Sequence, residues 1–325
     1  VNIKIQSDLE DLSRIEPELW ACLGGKKIFA TGCTGFIGMW FIHSFIYLNE
    51  KFNLGAELTL LTRNKKNHQS IFPQVKFVEG DVKDFVLPGE KYDFVIHGAT
   101  EVGAFQSGVN PSELLDVSYQ GTKRVIELCK VSGASRVLFL SSGAAYGNAP
   151  VHVTEDFEGA PVTTSARSTY GEAKRIAEQL LFNQSEFETM SARIFAACGP
   201  FMPMNSDFAF ANFLKNSLVG EVIEIKGNGL STRSYLYGSD LVFWLWKILL
   251  RGEKSQIYNV GSEEEISIKD LASTMGSEVK VFGTGPEFSR YVPSTKKARD
   301  QLGLKQTVTL FQAIKKSADF YKDSL

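Results

Sequence analysis

One stretch constrains the fold of this chain more than any other: Lys27-Ile28-Phe29-Ala30-Thr31-Gly32-Cys33-Thr34-Gly35-Phe36-Ile37-Gly38. A short apolar run enters three glycines spaced three apart, and a helix-compatible run from Met39 to Leu48 follows directly. That order predicts a strand, a tight turn and a helix whose N-terminus faces the turn. Glycines let the backbone turn sharply and come close to a pyrophosphate, while the free N–H groups and the dipole of the helix favour its negative charge. The turn is expected to bind a dinucleotide through Gly32, Thr34, Gly35, Phe36 and Ile37. A glycine triplet also serves a merely tight strand–helix turn, so the remaining segments must decide.

Those segments alternate. Strands are predicted at Ala56–Arg63, Val75–Asp81, Tyr92–His97 and Val137–Ser142, with helices at Pro111–Lys130 and Thr169–Asn183. The alternation implies an α/β fold with a Rossmann-type, doubly wound parallel sheet covered on both faces. Leu9, Leu12, Ile15, Leu19 and Leu23 suggest an amphipathic lead-in over residues 1–25, broken near Pro17. The dinucleotide-binding part is expected to span 26–195, with 235–260 returning to it. The Pro- and Gly-punctuated stretch 196–234, together with 261–325, is expected to form a smaller substrate-binding lobe.

Composition narrows the function by exclusion. With 325 residues and a net charge of −2, the chain has no basic field of the kind nucleic-acid binding needs. Cys22, Cys33, Cys129 and Cys198 are scattered, with no CxxC pair and no metal spacing, so they read as reduced thiols and no metal site is assigned. The apolar run Leu241–Trp246 is far short of a membrane span and reads as part of a buried helix. Asp8, Glu10 and Asp11 stand where a secretory signal would need a basic start and an apolar centre, which points to the cytoplasm.

The second informative element is Tyr170-Gly171-Glu172-Ala173-Lys174, which sets a tyrosine and a lysine four apart on one helix face. A lysine ammonium beside a phenol favours phenolate, so Lys174 is expected to lower the Tyr170 pKa and make it a usable acid/base. Ser141-Ser142-Gly143-Ala144-Ala145-Tyr146-Gly147 ends the preceding strand, where open parallel sheets place their active sites.

With these motifs the chain resembles the extended short-chain dehydrogenase/reductase family, in its nucleotide-sugar epimerase/dehydratase/reductase branch. The resemblance runs through Gly80-Asp81-Val82, His97-Gly98-Ala99-Thr100, Gly199-Pro200, Gly227-Asn228-Gly229 with Arg233, Tyr258-Asn259-Val260-Gly261 and Ser294-Thr295-Lys296. It implies Ser142, Tyr170 and Lys174 as the catalytic set, with Tyr170 exchanging the proton and Lys174 holding the nicotinamide ribose. It implies Asp81, Val82, Ala99 and Thr100 along the cofactor, and Ser142, Gly143, Ala144, Tyr170, Asn212 and Arg233 around a nucleotide-sugar substrate. Arg233 matches an arginine that grips the diphosphate, and a homodimer through the helices near 111–130 and 169–183 is also implied.

Two departures from the branch are informative. Dehydratases carry Asp-Glu directly after the catalytic hydroxyl, whereas this chain has Gly143-Ala144. NAD-binding relatives end the second strand with an aspartate for the ribose hydroxyls; here the sequence is Thr62-Arg63-Asn64-Lys65-Lys66. Arg63 is therefore expected to meet a 2′-phosphate, which favours NADP(H) over NAD. The expected activity is reduction of a nucleotide-linked 4-keto sugar by NADPH. A 4-epimerase with tightly bound NAD is the alternative, followed by a nucleotide-uronate decarboxylase and a non-catalytic dinucleotide sensor.

Overall fold

Strand β1 (Lys27–Thr31) sends its side chains alternately to two hydrophobic cores: Ile28 and Ala30 join one, Phe29 the other. A strand buried on both faces belongs inside a sheet. In the computed structural model, which describes residues 3–99, 110–206, 208–276, 278–284 and 288–323, β1 is flanked on both sides. The other strands are β2 (Glu57–Thr62), β3 (Lys76–Glu79), β4 (Phe94–His97), β5 (Arg136–Ser142), β6 (Glu188–Ile194) and β7 (Gln256–Val260). The described residues form a seven-stranded sheet of order β7-β6-β5-β4-β1-β2-β3. Every neighbouring pair is parallel.

This is the expected doubly wound arrangement. The chain order reverses between β1 and β4, and open sheets of this kind leave a crevice beyond the carboxyl ends of the strands at such a point. Helices α2 (Phe36–Lys51) and α5 (Gly238–Arg251) cover one face, their Phe41 and Trp246 rings meeting edge to face at 5.1 Å. Helices α3 (Pro111–Ser132) and α4 (Thr169–Phe182) cover the other, burying Val125, Leu128, Cys129, Ala177 and Leu181. Their ends follow local chemistry: Asn110 accepts the Ser112 N–H at 3.0 Å to start α3, and Gly133, with φ +74°, ends it.

The N-terminal segment forms α1 (Gln6–Ile15) and, after Pro17, a 3-10 helix over Pro17–Leu23. Asp8 ties it down by accepting the Tyr237 hydroxyl at 2.8 Å and the Lys316 ammonium at 2.6 Å. Beyond β6 the chain builds small sheets, in one of which Thr232–Arg233 lies between Ile266–Ser267 and Arg290–Tyr291. Among the described residues, no helix is long and apolar enough to cross a membrane. The residues of the Leu241–Trp246 run are all buried within α5.

Candidate active site

The three glycines of the opening turn do different things. Gly32 has φ +72°, and a Cβ there would lie 2.3 Å from the Gly98 carbonyl carbon. A Cβ on Gly38 would lie 2.1 Å from the Cys33 carbonyl carbon, so α2 and the turn can pack only without it. Gly35 is unlike both, because a Cβ there would meet nothing within 4 Å. It opens onto the start of α2, whose first turn has no side-chain cap, leaving the amides of Phe36 and Ile37 to face an anion. Gly32, Thr34 and Gly35 are exposed there. These residues fit a pyrophosphate.

A buried hydrogen-bond chain fixes the floor of the crevice. Thr31 Oγ1 meets His97 Nδ1 at 2.8 Å, His97 Nε2 meets Thr122 Oγ1 at 3.1 Å, and the Ala99 N–H donates to Thr31 Oγ1 at 3.3 Å. Burial, aided by the nearby Lys174 charge, pushes the His97 pKa down to about 3, so the ring is neutral and links β1, β4 and α3. Thr100, expected beside Ala99, lies outside the described residues.

At the end of β2, Arg63, Asn64, Lys65 and Lys66 are all exposed. An acid reaches this corner from β3: Glu79 Oε1 accepts the Lys65 N–H at 3.4 Å. Asp81 Oδ1 accepts the Lys83 N–H at 3.0 Å and closes the turn after β3, while Val82 is buried against Gly121.

The other end of the crevice forms where β5 stops. Ser142 caps the tight turn Gly143–Tyr146 by accepting the Ala144 N–H at 3.2 Å, and its hydroxyl is near enough to the Tyr170 phenol to pull the phenol's pKa down. Lys174, one turn along α4, donates to the Leu140 carbonyl at 2.7 Å, with its ammonium 5.6 Å from the centre of the Tyr170 ring. Ser142, Tyr170 and Lys174 are thus brought together.

The expected lowering of the Tyr170 pKa is not what this environment produces. Burial raises it well above the ordinary tyrosine range, the neighbouring Tyr291 phenol adds to the rise, and the Ser142 hydroxyl only partly opposes it. The desolvation that keeps Tyr170 protonated also pushes Lys174 down to about 7, against the favourable charge of Glu178. Glu178 is itself held by Arg193, through Nε at 3.0 Å and Nη2 at 2.7 Å, and by Ser191 Oγ at 2.9 Å.

Phe195 packs over Gly143. A Cβ there would lie 2.7 Å from the Phe195 ring, so any side chain at this position would have to displace that ring. Arg233 donates from Nη1 to the carbonyls of Thr232 at 2.7 Å and Ser289 at 3.1 Å, and from Nη2 to Ser289 Oγ at 3.1 Å. It lines a cavity of about 510 Å³ with Asn148, Phe288, Arg290 and Tyr291. Asn212 sits on the helix Ala209–Leu218, and among the described residues no hydrogen bond joins its side chain to the Ser142 group. Phe195 and Tyr291 were absent from the sequence-based set. No local pattern marks either, because Phe195 reaches Gly143, and Tyr291 reaches Ser142, only through tertiary packing.

Residues 28–261 match the model of the NAD dependent epimerase/dehydratase family. UDP-glucuronic acid decarboxylase 6 of Arabidopsis thaliana is 30% identical over 301 residues, covering 89% of this chain and 86% of the relative. Among solved structures, the epimerase Mth375 of Methanothermobacter thermautotrophicus superposes with a TM-score of 0.80 at 22% identity, covering 96% of each chain. The NADPH complex of RMD from Pseudomonas aeruginosa gives 0.75 at 20% identity, covering 92% of this chain and 100% of that one. At such identities the superpositions speak for the fold alone, and it is the family match over most of the length that identifies this chain as a member of the NAD dependent epimerase/dehydratase family.

Proposed function

We propose that the protein is an NADPH-dependent reductase of a nucleotide-linked 4-keto sugar, acting in the cytoplasm as a homodimer through α3 and α4. The observation that carries this reading is the end of β2, where Arg63, Asn64, Lys65 and Lys66 are exposed and the run from Leu60 to Lys66 supplies no carboxylate. A 2′-phosphate suits such a corner, since guanidinium donors match phosphate geometry, and a phosphorylated cofactor suits net reduction. Gly32, Gly35 and the first amides of α2 would hold the pyrophosphate, and Lys174 the nicotinamide ribose. When bound, the dihydronicotinamide supplies the hydride to C4.

This chain's own residues handle the oxygen. Tyr170, kept protonated by burial, donates its proton to the developing C4 alkoxide, and the Ser142 hydroxyl supports the same oxygen. Arg233 anchors the diphosphate. The turn at Gly143-Ala144 supplies no carboxylic acid for eliminating water.

A second reading, a nucleotide-uronate decarboxylase, draws on the 30% identity to the Arabidopsis enzyme. A 4-epimerase would use the same three catalytic residues. Incubating the purified protein with a nucleotide 4-keto-6-deoxysugar and NADPH, or with UDP-glucuronate or UDP-glucose and NAD, separates the three. The reductase reading expects loss of NADPH absorbance that depends on the keto sugar. It is overturned if UDP-glucuronate releases carbon dioxide, or UDP-glucose is epimerised, while the keto sugar is left unreduced.

A further inference from the structure

One bulky residue stands in a backbone conformation that side chains normally avoid. Phe201 has φ +73°, in the corner where the chain leaves the strand Ala197–Cys198 on its way to the helix Ala209–Leu218. Such a corner must be held from outside. The Phe201 ring is stacked on His43 at 5.1 Å and meets Phe320 edge to face at 5.2 Å. On either side of it the Trp40 indole donates to the Pro200 carbonyl at 3.2 Å, and the Tyr321 hydroxyl to the Met202 carbonyl at 2.8 Å. Two of these holders, Phe320 and Tyr321, end the helix Leu310–Tyr321.

That helix is itself fastened by residues that lie ahead of the family match at 28–261. Lys4 donates to the Phe320 carbonyl at 2.9 Å and pairs with Asp323 at 3.0 Å, and Asp8 accepts the Lys316 ammonium. The other bond to Asp8 runs toward the substrate lobe. In the run 233–237, Arg233 lines the cavity, Tyr235 packs on Phe210 of the helix Ala209–Leu218 with centroids 5.5 Å apart, and Tyr237 donates to Asp8 at 2.8 Å. Burial, with the Asp8 charge beside it, keeps the Tyr237 phenol protonated for that bond. Leu236–Tyr237 also pairs in parallel with Ala197–Cys198, so the same tie steadies the strand that enters the corner. Asp8 is 4% exposed, and taking a carboxylate and its partners out of water returns little net stability, so what the arrangement supplies is direction.

We propose that Asp8 is a positioning residue for the substrate side of the site: together with Lys4 it straps the helix Leu310–Tyr321 and the strand Leu236–Tyr237 against the strained corner at Phe201, and so fixes the seating of Arg233 and of the helix Ala209–Leu218. Among the described residues Asp8 bonds to neither the glycine turn nor Ser142, so releasing the strap loosens one side of the crevice only. The ligand of that side rests on the nucleotide-sugar reading, whereas the strap stands without it.

The test is amide hydrogen exchange of the full chain, read by mass spectrometry for wild type, Asp8→Ala and Tyr237→Phe, beside calorimetric titration with NADPH, NAD, UDP-glucose and dTDP-glucose. Asp8→Ala is expected to speed exchange about tenfold across 199–218, the scale of a lost bond to a charged group, and to leave 27–38 and 136–142 unchanged. It is also expected to weaken whichever nucleotide sugar the wild type accepts about fivefold, with the cofactor bound equally well. Tyr237→Phe keeps the ring, should show the same pattern at smaller size, and decides the matter if Asp8→Ala unfolds early. Faster exchange confined to 3–23, or rising alike in 27–38 and 199–218, overturns the proposal. So does a nucleotide sugar bound as tightly as by wild type, or weakened only as much as the cofactor. A wild type that binds neither sugar overturns the nucleotide-sugar reading, and the exchange pattern then decides the strap by itself.

Discussion

At the β1 end of the crevice the parts of the site are neighbours in sequence, whereas at the β5 end they are gathered from distant segments. Gly32, Gly35 and Gly38 act through backbone conformation and close approach within a single turn. Ser142, Tyr170, Phe195, Arg233 and Tyr291 come from five segments, the outermost pair 149 positions apart. The first end is specified by what a short peptide can do on its own. The second exists only after β5, β6 and the small sheet around Thr232–Arg233 have docked. A pyrophosphate turn can therefore be shared by many members of one fold, while the long-range end can set the chemistry.

Substitutions can break this division, and the largest effect is expected at the β5 end. Tyr170→Phe removes the proposed proton donor and should lower kcat about 10³-fold, within the range for general acid catalysis, with nucleotide-sugar binding retained. Steady-state kinetics beside calorimetry check it. An unchanged kcat would remove Tyr170 from the chemistry.

The glycine turn offers the sharpest contrast. Gly38→Ala forces a methyl to within 2.1 Å of backbone and should cost about 3 kcal/mol or more in unfolding free energy. Gly35→Ala has open space and should leave the unfolding free energy within about 0.5 kcal/mol while weakening cofactor binding. Denaturant melts with and without cofactor separate the two. Equal destabilisation would mean that Gly35 also serves packing.

The pH profile tests Lys174. Burial lowers its pKa from 10.5 to about 7, so the ammonium is present below that pH and lost above it. With Tyr170 held protonated, kcat/KM of the free enzyme should fall as pH rises above about 7, by about tenfold per unit. Glu178→Gln removes a negative charge that favours the ammonium and should move this limb to lower pH. By linkage, the depressed lysine binds more protons unfolded than folded between about 7 and 10.5, so its contribution to stability rises with pH across that window.

The smallest effect is expected at the edge of the cofactor site. Arg63→Ala should raise the KM for NADPH about fivefold and leave that for NADH nearly unchanged, because an exposed charge–phosphate contact contributes about 1 kcal/mol. Equal effects on both cofactors would remove Arg63 from 2′-phosphate recognition.

The same contrast explains what could be read from the residue order. β1, the glycine turn, the Tyr170–Lys174 spacing and the alternation of strands and helices rest on local conformational preference, and the sheet realises them in the expected order. Gly143-Ala144 was visible as a missing acid pair, but that Phe195 fills the space over Gly143 was not, since the two meet only when β5 and β6 pair. Tyr291 carries no motif at all. The raised Tyr170 pKa was missed for a related reason: spacing told of the lysine one turn away, and only the packed site tells how little water reaches the phenol.

The most direct test of the reductase account is isotopic. The protein is supplied with a nucleotide 4-keto-6-deoxysugar and NADPH carrying deuterium at both positions of the nicotinamide C4, and the product sugar is read by NMR. The account predicts one deuterium at the sugar C4 and a matching amount of NADP formed. Its contradiction is a keto sugar recovered unreduced and unlabelled while UDP-glucuronate is decarboxylated by the same preparation.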